Sequence, residues 1–332
     1  MPYKEDLFRM LDGKTPVSDV AFYVFEPPPG FKDNGVAMFG SSYGGFGPGP
    51  DGKDAWGVPL KIDYFGIGFM PEPGQIILPD ITKWRDVIKA PYRYDFDFAA
   101  AAEKDMANFK YNPETQVVSM FGGGGGFFLN LVSFMGFEGA MLAMYDEPEA
   151  VHELLDYICD YDCWVVENYL ANYPIVDIMG MGDDTATELN PFLSLEFFRE
   201  FLLPRYKRIA DKIKQYGKVI SYHNCGRCED YMDDMVAIGV QIWNAATTKN
   251  DLNAFKARHN NKIVMDVNPR FDPYAPEADI RQKVRDVIDT YAPNGAFVWI
   301  GGSTIPTTEL GKKVDAWILD EVLSYGKGFY SK

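Results

Sequence analysis

The chain has 332 residues, a formal charge of −16 and 47% hydrophobic residues, enough apolar sequence for one large α/β domain with a sizeable core. So acidic a chain is poorly suited to nucleic-acid phosphates or an anionic membrane, both of which attract basic surfaces; its charge serves solubility or selects a basic patch on a protein partner. No run of about 18 uncharged apolar residues occurs, and Met1-Pro2-Tyr3-Lys4-Glu5-Asp6 turns charged before a signal-peptide core could form, so a soluble, cytoplasmic protein is expected.

Along the chain, the first 60 residues carry a stretch from Pro27-Pro28-Pro29-Gly30 through Tyr43-Gly44-Gly45-Phe46-Gly47-Pro48-Gly49-Pro50. Its Pro and Gly content argues against regular structure, and its aromatics argue against a plain linker, so residues 1–60 are expected to form a cap or lid. Gln116-Val117-Val118-Ser119-Met120-Phe121 then reads as a strand, followed by glycines from Gly122 to Gly126. That run lacks the Gly-Lys-Ser/Thr ending of a P-loop and the acidic residue of a dinucleotide fold. A tight strand-to-helix turn is the better reading, with Gly124 at a point where a substrate or cofactor could approach the backbone closely.

From there strands and helices alternate: helices near 130–144 and 147–172, a strand at 176–180, helices over 194–216, a strand at 219–223, a helix near 229–238 and a strand at 240–244. A helix at 250–258, a strand at 263–266, a helix at 277–291, a strand at 296–300 and a helix at 307–325 complete the list. Repeated βα units in a chain of this length predict a single (β/α)8 TIM barrel spanning 1–332, with the N-terminal segment as its Gly/Pro/aromatic-rich cap. Cys159 and Cys163, four apart on a predicted helix, are expected to face the core, and four cysteines in so long a chain do not make a disulfide framework.

Catalytic side chains of such a barrel stand at the C-terminal ends of its strands. Four of those ends are unusually polar: Met181-Gly182-Asp183-Asp184-Thr185, His223-Asn224-Cys225-Gly226-Arg227-Cys228, Asp266-Val267-Asn268-Pro269 and Gly301-Gly302-Ser303-Thr304. His223 with Cys225 offers an imidazole nitrogen and a thiolate, both good zinc donors; the alternative is a structural histidine beside ordinary buried thiols. Asp183 and Asp184 are paired carboxylates that could ligate or do chemistry, of which alternation lets at most one face the pocket; the alternative is that Asp184 or Thr185 caps a short turn. Glu188 is near enough in sequence to reach the same mouth.

Taken together, several stretches resemble the uroporphyrinogen decarboxylase superfamily, and most closely its corrinoid-dependent methyltransferase branch. They are Asp80-Ile81-Thr82-Lys83-Trp84, Tyr145-Asp146-Glu147-Pro148-Glu149, Gly182-Asp183-Asp184, Leu193-Ser194-Leu195-Glu196-Phe197-Phe198-Arg199-Glu200-Phe201, Pro204-Arg205-Tyr206, Gly217-Lys218 and His223-Asn224-Cys225-Gly226. Their order and spacing are family-like from about residue 54 onward. The resemblance implies a (β/α)8 barrel. True decarboxylases of the superfamily carry an N-terminal Arg-rich signature that grips tetrapyrrole carboxylates, and nothing like it occurs in the first 60 residues here.

In the methyltransferase branch a His-x-Cys pair at this strand end binds zinc, and thiol-methylating members add a cysteine from the last strand. That cysteine would fall near Gly301-Gly302, where it is absent. The third ligand is then Cys228, Glu188, Asp183 or Asp184, or tight zinc binding has been lost. Members that demethylate methoxylated aromatics resemble the chain more closely, and a pocket rich in Phe and Tyr suits a benzene ring.

The resemblance implies that a partner corrinoid protein presents Co(I) at the barrel mouth, where it takes the methyl group of a small aromatic methyl ether. Zn2+ on His223 and Cys225 would polarise the ether oxygen, or Asp184 or Tyr222 would supply a proton. Gly124, Asn268 and Gly302 are candidate positions against the substrate or cofactor. Methyl transfer from a methylcorrinoid to a thiol, uroporphyrinogen decarboxylation and a non-catalytic binding barrel are the alternatives, and a homodimer is compatible with each.

Overall fold

The computed structural model describes residues 3–24, 34–44, 47–63, 68–122, 126–302 and 307–331. Helix α1 (Tyr3–Leu11) precedes strands β1 (Ala21–Tyr23) and β2 (Val36–Phe39); an antiparallel hairpin of β3 (Leu60–Ile62) and β4 (Phe69–Pro71) follows, then helices α2 (Trp84–Val87) and α3 (Phe98–Asn108). Strand β5 (Val117–Phe121) leads into α4 (Phe127–Met135), α5 (Phe137–Asp146) and the long α6 (Pro148–Asn172). After β6 (Ile178–Gly182) come α7 (Leu195–Phe197), a π-helical turn over Phe198–Leu202 and α8 (Leu203–Gln215). The remaining pairs are β7 (Val219–His223) with α9 (Glu229–Ala237), β8 (Ile242–Ala246) with α10 (Leu252–Arg258), β9 (Val264–Val267) with α11 (Glu277–Tyr291), and β10 (Phe297–Ile300) with α12 (Glu309–Tyr325).

Eight strands form one parallel sheet in the order β1-β10-β9-β8-β7-β6-β5-β2, the nearly closed TIM barrel expected from the alternating pattern. The seam between its two end strands is bridged by one side chain. Asn34 accepts the Val24 N–H at 2.8 Å and donates to the carbonyls of Val24 at 3.0 Å and Val36 at 2.8 Å, doing for short strands what ladder bonds do elsewhere.

The lower end of the barrel is closed by a layer to which every strand contributes one residue: Ala21, Val36, Val117, Ile178, Val219, Ile242, Val264 and Val298. Leu7 and Met10 of α1 pack beneath it, fully buried, each worth about 1.5–3 kcal/mol by burial alone. Lys4 pairs with Asp177 at 3.1 Å, and Asp177 also accepts the Val118 N–H, tying α1 to the start of the sheet.

Three expectations need correction. The stretch from 27 to 50 is not devoid of regular structure, because the apolar run Val36-Ala37-Met38-Phe39 is long enough to serve as a barrel strand between flanking glycines. The expected helix at 130–144 is two helices, broken at Gly136 with φ +74°, a region L side chains rarely adopt. Strands expected at 176–180 and 240–244 begin and end two residues later, a slip that leaves each side chain on the same face because the strand period is two.

Among the described residues of the N-terminal segment, aromatic side chains pack on the outer helices. Trp56 packs on Phe134 of α4 and Tyr161 of α6, and Tyr43 stacks on Phe98. Cys159 and Cys163 are buried with their sulfurs 3.9 Å apart, as their helical spacing suggested. Among the described residues no single helix is long and apolar enough to cross a membrane.

Candidate active site

Inside the barrel a cavity of about 320 Å3 runs from Asp183, Asp184 and His223 at the mouth down to Tyr3 near the closed end. Small residues make room for it. On β6, a Cβ at Gly180 would meet the Phe121 ring at 2.6 Å and one at Gly182 would meet the His223 Cβ at 2.7 Å, so these glycines let neighbouring side chains lie against the sheet.

At the mouth the structure brings together Asp184, His223 and Cys225, whose donor atoms all lie within 4.8 Å of one another. His223 Nε2 is 3.5 Å from Cys225 Sγ and 3.7 Å from Asp184 Oδ1. Bond lengths of about 2.0–2.3 Å in a tetrahedral zinc site place ligand atoms roughly 3.3–3.8 Å apart, and the two separations from His223 and the donor types of the set match that spacing and chemistry. The Cys225 N–H donates to Asp184 at 2.8 Å, which fixes the two loops against each other.

Behind the imidazole stands a chain of hydrogen bonds. Asn244 Nδ2 donates to Asp266 at 2.8 Å and to the Tyr23 hydroxyl at 2.7 Å, and Tyr23 donates in turn to Asp266 at 2.7 Å. With its NH2 so committed, Asn244 turns Oδ1 to His223 Nδ1 at 2.6 Å; Nδ1 therefore carries the proton and Nε2 faces the mouth. Burial opposes a charged imidazole at His223. The hydrogen bond and charge of Cys225, then the charge of Asp184 and the bond to Asn244, outweigh that and push its pKa up to about 9. Burial also pushes Asp266 up to about 6, held down by hydrogen bonds from Asn244 and Tyr23 and by His223.

Asp183 does something different. It accepts the N–H groups of Phe128 at 2.6 Å and Leu129 at 2.9 Å, and the Tyr206 hydroxyl at 2.6 Å, so it caps α4 from a neighbouring strand. Burial nonetheless pushes it up to about 7. Gly126, φ +90°, makes the cap possible, since a Cβ there would fall 2.3 Å from the Gly182 carbonyl oxygen and 2.6 Å from the Asp183 carboxyl. Both aspartates border the cavity, where alternation suggested one, because the strand has ended and the chain is turning.

Other candidates lie elsewhere. Tyr222 is fully buried on the outer face of β7, edge-on to Tyr206 and accepting from Asn224, so it does not reach the cavity as a proton donor. Cys228, also buried, directs its thiol to the Asn224 carbonyl, and burial pushes its pKa well up; Glu188 pairs with Arg270 at 3.2 Å. Neither belongs to the donor set at the mouth.

Asn268 and Gly302 do not line the cavity. Asn268 packs under Gly301, whose φ is +80°, and a Cβ at Gly302 would meet the Asp315 carboxylate at 2.1 Å, so a side chain at either glycine would require its neighbour to move. Gly124 lies outside the described residues.

Sequence reasoning passed over Asn244 and Tyr23, and named Asp266 and Asn224 only as parts of polar strand ends. The available signal was an Asn within the buried run Ile242-Trp243-Asn244-Ala245-Ala246, where a polar group demands a partner. Asn224 joins the loops after β6 and β7 through Thr185, accepting its N–H at 3.2 Å and donating to its hydroxyl at 2.7 Å.

Residues 99–318 match the family described as uroporphyrinogen decarboxylase (URO-D). No curated protein matches the chain. Among solved structures, a methyltransferase from Methanosarcina mazei superposes with a TM-score of 0.60 at 13% identity, over 98% of this chain and 99% of that one. A 3-keto-L-gulonate-6-phosphate decarboxylase from Vibrio cholerae O1 biovar El Tor gives a TM-score of 0.30 at 10% identity, over 68% of this chain and 78% of that one. At 13% identity the likeness to the methyltransferase is one of fold alone.

Proposed function

The chain belongs to the uroporphyrinogen decarboxylase (URO-D) family, and on that premise we propose that it is a corrinoid-protein-dependent methyltransferase acting on a methoxylated aromatic compound. The observation that carries the reading is the set Asp184, His223 and Cys225, at zinc-ligand spacing over an apolar cavity. Zinc held there would act as a Lewis acid on the ether oxygen.

This chain's residues do the rest. Asn244 holds the imidazole with Nε2 toward the mouth, and Asn224 holds the Asp184 loop beside Cys225. The apolar wall, with Phe121, Leu129 and Ile242, keeps water from the ring. A corrinoid carried by a partner protein would supply the Co(I) that accepts the methyl group, and the phenolate left behind would take a proton from the solvent side, where the Asp184 side chain is 41% exposed.

Two observations weigh against the alternatives. A tetrapyrrole with its many carboxylates needs a larger, basic pocket, whereas this cavity is about 320 Å3 and no lysine or arginine lines it among the described residues. Transfer to a thiol is favoured by thiolate-rich zinc; a carboxylate in place of a second thiolate leaves the metal harder and better suited to an ether oxygen. His223→Ala and Cys225→Ala are expected to lose both bound zinc and methyl transfer, read by metal analysis and by product formation. Full transfer by a variant that retains no metal would remove zinc from the account.

A further inference from the structure

Two polar side chains in the cavity are used by nothing described above. Ser119 on β5, opposite Ile178, and Ser221 on β7, opposite Gly180, stand on either side of β6 and line the cavity below the mouth. Ser221 is only 9% exposed, and neither hydroxyl has a hydrogen-bonding partner among the described residues. Ser119 is half-buried, and a hydroxyl that opens onto a mostly apolar cavity without a protein partner is left to bond water or a ligand. The surrounding side chains, among them Tyr23, Phe121, Ile178 and Ile242, suit a single flat ring, and the volume sits at the small end of the range for ligand pockets, about 300–1,000 Å3.

Charge narrows the ligand further. Asp183, Asp184 and Asp266 border the same space, and no lysine or arginine does among the described residues. A carboxylate buried beside Ser119 and Ser221 would find no lysine or arginine to pair with, and among the described lining residues the one group that can carry positive charge, His223, stands at the mouth.

We propose that Ser119 and Ser221 hold the hydroxyl of a neutral methoxyphenol whose methyl ether lies at Asp184, His223 and Cys225, and that the same wall rejects methoxybenzoates. The identification of the ether end rests on the methyl-transfer reading; the hydroxyl end rests on the two serines alone.

Calorimetric titration of the purified protein with the methoxyphenol isomers, methoxybenzene and the methoxybenzoates tests it without turnover. At least one methoxyphenol is expected to bind about tenfold more tightly than methoxybenzene and than its benzoate counterpart, because a site built around a hydroxyl penalises its absence. The Ser119→Ala/Ser221→Ala protein is expected to lose that preference while binding methoxybenzene as before, which also reports that it is folded. Benzoates binding as tightly as phenols in the wild-type protein, or a preference that survives in the double variant, overturns the assignment. Serine-dependent phenol binding with no methyl transfer removes the catalytic reading and keeps this one; methyl transfer from methoxybenzoates does the reverse.

Discussion

At His223, orientation matters as much as identity. The imidazole donates through Nδ1 to Asn244, and Asn244 is itself locked by Asp266 and Tyr23. Asn244→Ala is therefore expected to weaken zinc binding about 10- to 100-fold, the usual cost of losing an outer-shell partner, while leaving all three donors in place. Competition titration with a chromophoric chelator measures this; unchanged affinity would mean that the hydrogen bond does not position the ring.

Asp183 offers a test by pH. Its folded value of about 7 exceeds the ordinary 3.8 because of burial, so between those values the folded chain holds a proton that the unfolded chain has released. The stabilisation from the neutral carboxyl is complete below the unfolded value and is lost as pH rises through the folded one. The stability difference between wild type and Asp183→Asn, measured by urea unfolding, should shrink from about pH 5 to pH 8; a constant difference contradicts the shift.

Much of the site was legible at this scale. His223, Cys225 and Asp184 sit where strand ends put chemistry, and polar residues there stand out against apolar runs. Tyr222, one residue before His223, could not be assigned correctly without the register that points it outward. Asn244 and Asp266 pair across adjacent strands, but Tyr23 comes from the other end of the chain, and only the barrel makes it their neighbour.

Among elements, the barrel's weakest join is the seam that Asn34 bridges. Asn34→Ala removes three hydrogen bonds to backbone and is expected to destabilise the protein by about 2–3 kcal/mol, seen as a lower urea midpoint with an unchanged slope. A negligible change would show that β1 and β2 need no such bridge.

The strands from β5 onward were readable because each is an apolar run between helical segments, whereas β1 and β2 are three and four residues long and lie among prolines and glycines. Helix α1 was missed for a related reason: its charged start, useful against a signal peptide, hid the stripe of Leu7 and Met10 beneath the barrel. The π-helical turn at Phe198–Leu202 has a sequence cause in Pro204, which cannot donate a backbone bond. Arg205 compensates by donating to the Glu200 and Phe201 carbonyls.

At the scale of the molecule, the parallel barrel followed from counting βα units, and the net charge of −16 constrains the company the protein keeps. If a corrinoid protein docks at the mouth through a basic patch, the second-order rate of methyl transfer should fall as ionic strength rises, since screening shortens the reach of those charges. A salt-independent rate would place the attraction in apolar contacts instead.

The central claim is methyl transfer to a corrinoid at a zinc site formed by Asp184, His223 and Cys225. Its most direct test is the absorbance of a Co(I) corrinoid protein incubated with a methoxyphenol and this chain, before zinc removal, after it, and after zinc is restored. The account predicts loss of the Co(I) band and appearance of methyl-Co(III) only when zinc is present. Transfer at the same rate after complete metal removal, or no transfer from any methoxylated aromatic, would contradict it.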